Sequence, residues 1–159
     1  MNLLFAGSGT VTLEVGGSGN ELLGGTGADA FGATGNGNAL FAGTAGATMT
    51  VSGNGNELFG GCGTDLMFVS GGSGNRLQGW SGADTLEAIG GGNTLTGGRG
   101  PDSLIAFNNL NILFAGSGTA SLEVSGNGDV LLGGSGVDAF GASGNGNALQ
   151  AGTAAAQMT

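Results

Sequence analysis

A leucine recurs at one fixed place in every coil-length stretch of this chain. Asn2, Asn20, Asn38, Asn56, Asn75, Asn93, Asn111, Asp129 and Asn147 follow one another at steps of 18 residues, with a single step of 19. Two places after each comes Leu4, Leu22, Leu40, Leu58, Leu77, Leu95, Leu113, Leu131 and Leu149. Eleven places after each stands a second large apolar residue: Leu13, Phe31, Met49, Met67, Leu86, Leu104, Leu122, Phe140 and Met158. A fixed period of this kind marks a stack of identical units that bury their faces on one another.

Small residues follow two positions after each large one, as Ala6 and Gly24 do in one half of the unit and Val15, Ala33, Val51 and Val69 in the other. A spacing of two is strand spacing, and apolar positions three and four apart, which a helix needs, are missing. Glycines such as Gly25, Gly27, Gly35 and Gly37 separate the two short runs and allow the chain to turn. Each unit therefore reads as strand, turn, strand, turn. The expected fold is all-β: a parallel β-solenoid of nearly nine 18-residue, two-strand coils whose strands stack into two parallel sheets across a thin core. At about 4.8 Å per coil the rod is roughly 40 Å long.

Glycine is 40 of 159 residues, a level that in a polar chain signals disorder, but 39% of this chain is hydrophobic and proline occurs once. Eleven acidic residues against two basic ones give a net charge of −9, a field that repels phosphate backbones and anionic lipid, so nucleic acid is excluded as a partner. There is no His, Lys or Tyr, and Cys62 is the one cysteine. Imidazole–thiolate metal cages, Ser/His/Asp triads and Cys/His nucleophiles cannot be assembled from that set, which argues against an enzyme. Cys62 reads as a turn filler. No apolar run reaches the roughly 18 residues of a membrane span, and no cleavable signal follows Met1.

Residues 2–50 match residues 111–159 at 36 of 49 positions. The chain is thus read as one continuous solenoid over 1–159, a six-coil block 2–110 and a partial second copy 111–159. Neither end carries a polar cap, which implies an excerpt of a longer array or a unit that stacks end to end.

The second strand of several coils opens on Gly-Gly-x-Gly-x-Asp-x-apolar: Gly24 to Phe31, Gly60 to Met67, Gly97 to Leu104 and Gly133 to Phe140, with Gly79-Trp80-Ser81-Gly82-Ala83-Asp84 as a variant. These stretches resemble the nonapeptide repeats of the repeats-in-toxin (RTX), hemolysin-type family, whose fold is the parallel β-roll. The resemblance implies a ladder of calcium cages built from turn carbonyls and Asp carboxylates, and folding driven by calcium after secretion. Along the stack the Asp position reads Val11, Asp29, Ala47, Asp65, Asp84, Asp102, Ala120, Asp138 and Ala156. Since Ca²⁺ takes six to eight oxygens, family-type sites fall between Asp65 and Asp84 and between Asp84 and Asp102. Asp29 and Asp138, flanked by apolar positions, are weaker sites or close an Asx-turn onto their own backbone.

On the other edge the row is Asn, with Asp129 its one break. Stacked amides there are expected to form a structural ladder, donating and accepting between coils. Three places after each ladder residue stand Phe5, Leu23, Phe41, Phe59, Gln78, Thr96, Phe114, Leu132 and Gln150. Strand parity points them outward, so Phe5, Leu23, Phe41, Phe59, Phe114 and Leu132 form an apolar stripe for assembly. Thr12, Thr48, Thr85, Ser103 and Ser121 form a hydroxyl row on the second strand, with Thr50 close to Thr48 on the same face, and Ala30, Leu66, Ala139 and Gln157 break it. Asn108, Leu110 and Trp80 each stand where glycine is usual. Arg76 and Arg99 read as solvated, and Glu14, Glu87 and Glu123 as outward-facing.

The function expected from these features is an extracellular or cell-surface structural repeat protein. It forms or joins a fibre, surface layer or adhesin stalk by end-to-end and lateral self-association, and requires no cofactor. The alternative is a secreted module that folds on Ca²⁺. A weaker one is an ice-binding or polysaccharide-binding solenoid, for which a cell or polysaccharide surface is the partner.

Overall fold

The structure is a computed structural model and describes residues 1–159. Eighteen strands and no helix make up the chain, from Leu3–Phe5 to Ala156–Met158. The strands alternate between two nine-stranded sheets, one holding every first strand of a coil and the other every second strand. Every pairing is parallel, and residue partners lie one coil apart: Leu4 opposite Leu22, Leu13 opposite Phe31, Leu86 opposite Leu104. The extra residue of the Gly71–Gly74 turn is absorbed there, so that Leu58 still meets Leu77. The solenoid, its coil length and its two sheets are therefore as the sequence spacing implies.

Parity fixes the interior. Leu22, Leu40, Leu58, Leu77, Leu95, Leu113 and Leu131 form one fully buried column, and Met49, Met67, Leu86, Leu104 and Leu122 form its counterpart on the facing sheet. Phe31 and Phe140 extend the second column, and small side chains such as Ala33, Val51 and Ala88 fill the space beside it. Twenty-three buried apolar residues thus make one cluster. Identical residues stacked a coil apart pack without register ambiguity, because a one-residue slip would turn the whole column out to solvent. Leu4, Leu13 and Leu149, in the first and last coils, are only partly buried against this cluster.

Candidate functional site

Two corners join the sheets, and each carries a side-chain ladder. Asn20, Asn38, Asn56, Asn75, Asn93, Asn111 and Asp129 are buried. Each accepts, through Oδ1, the backbone N–H of the ladder residue one coil earlier, at 2.7–2.9 Å from Asn2 through Asp129. The amide nitrogens donate onward, Asn20 to Asn38 Oδ1 at 3.0 Å and Asn75 to Asn93 Oδ1 at 3.0 Å, or back to the turn, as Asn111 does to the carbonyls of Phe107 and Asn108. The expected structural ladder is present. Asp129 has no amide hydrogen to give, and its Oδ2 is buried without a partner.

A second ladder runs along the outside of the same corner. Asn54 N–H donates to Asn36 Oδ1, Ser73 N–H to Asn54 Oδ1, and Asn127 and Asn145 N–H to Asn109 and Asn127 Oδ1, at 2.7–2.8 Å. Its polarity is opposite to that of the inner row: the acceptor lies in the earlier coil. The signal for it is the position two places before the inner row, which is Asn in five coils, at Asn36, Asn54, Asn109, Asn127 and Asn145.

At the other corner the Asp residues point inward. Asp29, Asp65, Asp84, Asp102 and Asp138 are all buried. Each Oδ1 accepts an N–H from the preceding coil: Val11 to Asp29, Ala47 to Asp65, Asp65 to Asp84, Asp84 to Asp102 and Ala120 to Asp138, at 2.7–3.0 Å. Each Oδ2 except that of Asp84 accepts the N–H four residues back in its own turn, from Gly25, Gly61, Gly98 or Gly134 at 2.6–3.0 Å. Asp29 and Asp138 thus bond back to the start of their own turns, through the N–H four residues earlier and not through the N–H two residues on that an Asx-turn uses. Asp65, Asp84 and Asp102 stack in successive coils, while Ala47 and Ala120 separate them from the other two.

Tested against calcium, this donor set does not fit a cage. Nine of the ten carboxylate oxygens already accept a main-chain N–H, and a cation at the same place would face those hydrogens too; the one free oxygen, Asp84 Oδ2, is far short of the six to eight that Ca²⁺ takes. Burial raises the carboxyls of Asp65 and Asp102 above the usual range. That of Asp84 is pushed up to about 6, first by burial, which the Asp65 N–H opposes, and then by the charges of Asp65 and Asp102.

Each Asp is matched by the residue five places before it. Where the corner holds Asp, that residue is Gly24, Gly60, Gly79, Gly97 or Gly133; where it holds Val11, Ala47, Ala120 or Ala156, the residue is Ala6, Ala42, Ala115 or Ala151. The carboxylate occupies the space a methyl group would fill: a Cβ on Gly79 would lie 2.7 Å from Asp84 Oδ2, and one on Gly97 2.8 Å from Asp102 Oδ2. Comparison across columns, not along any one of them, carries this signal.

The outer face of the first sheet bears the apolar stripe. Phe5 and Phe114 are exposed, and Leu23, Phe41, Phe59 and Leu132 are half-buried. The Phe41 and Phe59 rings stack at 4.8 Å between centroids, 9° from parallel. Arg76 lies beside them, its guanidinium 5.7 Å from the Phe59 ring centre and bonded to Gln78 Oε1 at 3.1 Å. Two places past Gln78, on the same face, Trp80 is 57% exposed.

Trp80 occupies a column that is otherwise glycine: Gly7, Gly25, Gly43, Gly61, then Gly98, Gly116, Gly134 and Gly152. A Cβ on Gly25, Gly43, Gly134 or Gly152 would overlap the carbonyl oxygen of the column's preceding glycine. Trp80 stands there with a left-handed backbone, φ 74°. It costs about 1–2 kcal/mol for an L-residue. In that conformation the Trp80 N–H does not reach Asp84 Oδ2, which is left buried and unpartnered. Phe41, Phe59, Cys62 and Trp80 line a groove of about 360 Å³.

On the outer face of the second sheet Thr12, Thr48 and Thr50 are exposed and Thr85, Ser103 and Ser121 half-buried, with exposed Leu66 interrupting them. No helix is long and apolar enough to cross a membrane. What the chain shows is a parallel β-solenoid with a buried asparagine ladder. In comparisons with known proteins, no family model, no curated protein and no solved structure matches it.

Proposed function

We propose that this solenoid is a structural element of an extracellular or cell-surface assembly, a fibre, surface layer or adhesin stalk, built by lateral and end-to-end association of solenoids. The observation that carries this reading is the stripe. Phe5, Leu23, Phe41 and Phe59 stand in four successive coils on one solvent face. A contiguous apolar surface of this kind on a rigid sheet is characteristic of a face that another molecule covers. The absence of His, Lys and Tyr from the chain and the use of its buried carboxylates as backbone acceptors favour a structural role over a catalytic one.

Light scattering and electron microscopy of the purified chain test it, before and after Phe5, Phe41, Phe59 and Phe114 are changed to Ser. Assemblies that disappear in the variant support the reading, and a native chain that stays monomeric overturns it. Calcium-driven folding, which the family resemblance implies, has against it that all but one of the carboxylate oxygens at this corner accept main-chain N–H groups. Circular dichroism separates the two: strand content should persist in excess chelator, and a chain that unfolds there and refolds on Ca²⁺ reverses the preference.

A further inference from the structure

The Trp80 coil departs from every other coil in ways the fold does not require. Trp80 is the chain's one tryptophan, and both basic residues bracket it. Arg76 shares its strand, Arg76–Trp80, and Arg99 donates its N–H to the Trp80 carbonyl. Glycine at this place would relieve the backbone and, as in the other Asp coils, supply an N–H to the carboxylate. Strain kept against an available remedy, on an exposed aromatic residue flanked by arginines, has the composition of a binding hot spot.

We infer that Trp80 and Arg76 are the centre of a two-fold interface in which the first sheet of one copy packs face to face on that of a second copy, with the axis parallel to the strands and between the coils of Glu57 and Arg76. This rests on the proposed lateral association and specifies its geometry. Such an axis reverses the order of coils and keeps position along the strand. Glu57 then faces the partner's Arg76, Phe59 faces the partner's Gln78, and Trp80 lies over the partner's Gly61, where the column has no side chain. Farther out, Leu23 meets the partner's Phe114 and Phe5 meets the partner's Leu132.

Three observations select this arrangement. The stripe is interrupted at Gln78 and Thr96, and the axis covers that polar gap with the partner's Phe59 and the partner's Phe41. Glu57 and Arg76 are register partners on adjacent strands, yet within the chain the guanidinium bonds Gln78. The carboxylate thus stays available across the interface, where opposite charges fix register. Eight coils of this face would cover roughly 600–700 Å² of each copy at ordinary strand spacing, close to the ~800 Å² per partner of a standard interface. An axis along the rod instead sets each coil against itself, leaves Gln78 and Thr96 facing their own copies, and pairs no charges.

Complementation in sedimentation velocity tests it. Glu57→Arg alone sets Arg against the partner's Arg76, and Arg76→Glu alone sets Glu against the partner's Glu57, so each variant should associate at least tenfold more weakly than the native chain. Mixed in equal amounts, the two should form a heterodimer with native affinity, because both facing pairs are then opposite in charge. Contacts within one chain cannot produce that rescue. Trp80→Gly should weaken association while raising the urea midpoint of the monomer. A native chain that associates, with variants that associate equally well or a mixture that fails to recover, overturns the geometry and leaves lateral association standing. Undiminished association of Trp80→Gly also overturns it, and a monomeric native chain removes both.

Discussion

Gly79 lies directly against the carboxylate of Asp84: a Cβ added to Gly79 would sit 2.7 Å from Oδ2 and 3.3 Å from both Cβ and Cγ of that one side chain. The pairing makes the two positions a single unit, read as Gly with Asp or as Ala with an apolar residue in all nine coils. Gly79→Ala should therefore destabilise the chain by about 2 kcal/mol, as overpacking in a tight interior does. In an Asp84→Ala background the same change should cost little, and a double-mutant cycle by urea denaturation should give a coupling of roughly 1–3 kcal/mol.

The pH dependence follows from the same carboxylate. The Asp84 carboxyl is raised from its ordinary 3.8 to about 6 in the fold, so the folded chain holds a proton that the unfolded chain releases. Stability is then fully present below the ordinary value, falls as pH rises from about 4 towards about 6, and levels off above that. Asp65 and Asp102, raised by burial, act in the same direction. Thermal midpoints measured across this range should fall with rising pH, and Asp84→Asn should flatten the slope. A midpoint that rises over the same interval contradicts the assignment.

Asp129 offers a stabilising substitution. It stands in a row of amides, with Oδ2 buried and unpartnered, while Asn111 in the same place donates to two turn carbonyls. Asp129→Asn restores the donor and should raise stability by about 1–3 kcal/mol, measured as an upward shift of the urea midpoint at unchanged slope.

Leu110 is a second such position. Its φ of 64° is left-handed and its side chain is 68% exposed, so no burial offsets the backbone strain. Leu110→Gly should stabilise the chain by about 1 kcal/mol. Asn108, at φ 70° in the same turn, should gain less from the same change, because Asn tolerates this conformation better than Leu does.

Columns of like residues, Leu22 through Leu131 above all, are legible in the sequence alone. Strand side chains alternate with a period of two, and a stack of equal coils brings each residue onto its own kind, so spacing by itself decides coil length, parity, the two sheets and the stripe's outward face. What the Asp and Trp80 corner does is not legible in the same way. Whether a carboxylate turns outward to a cation or inward to main-chain N–H groups depends on where the preceding coil's amides point. That direction is set by the path of the backbone through the turn. Read along the chain, Trp80 is one irregular residue in a Gly-rich motif; only with the coils stacked does it stand in a column of glycines, with the hydrogen bond its backbone gives up missing from Asp84 beneath it.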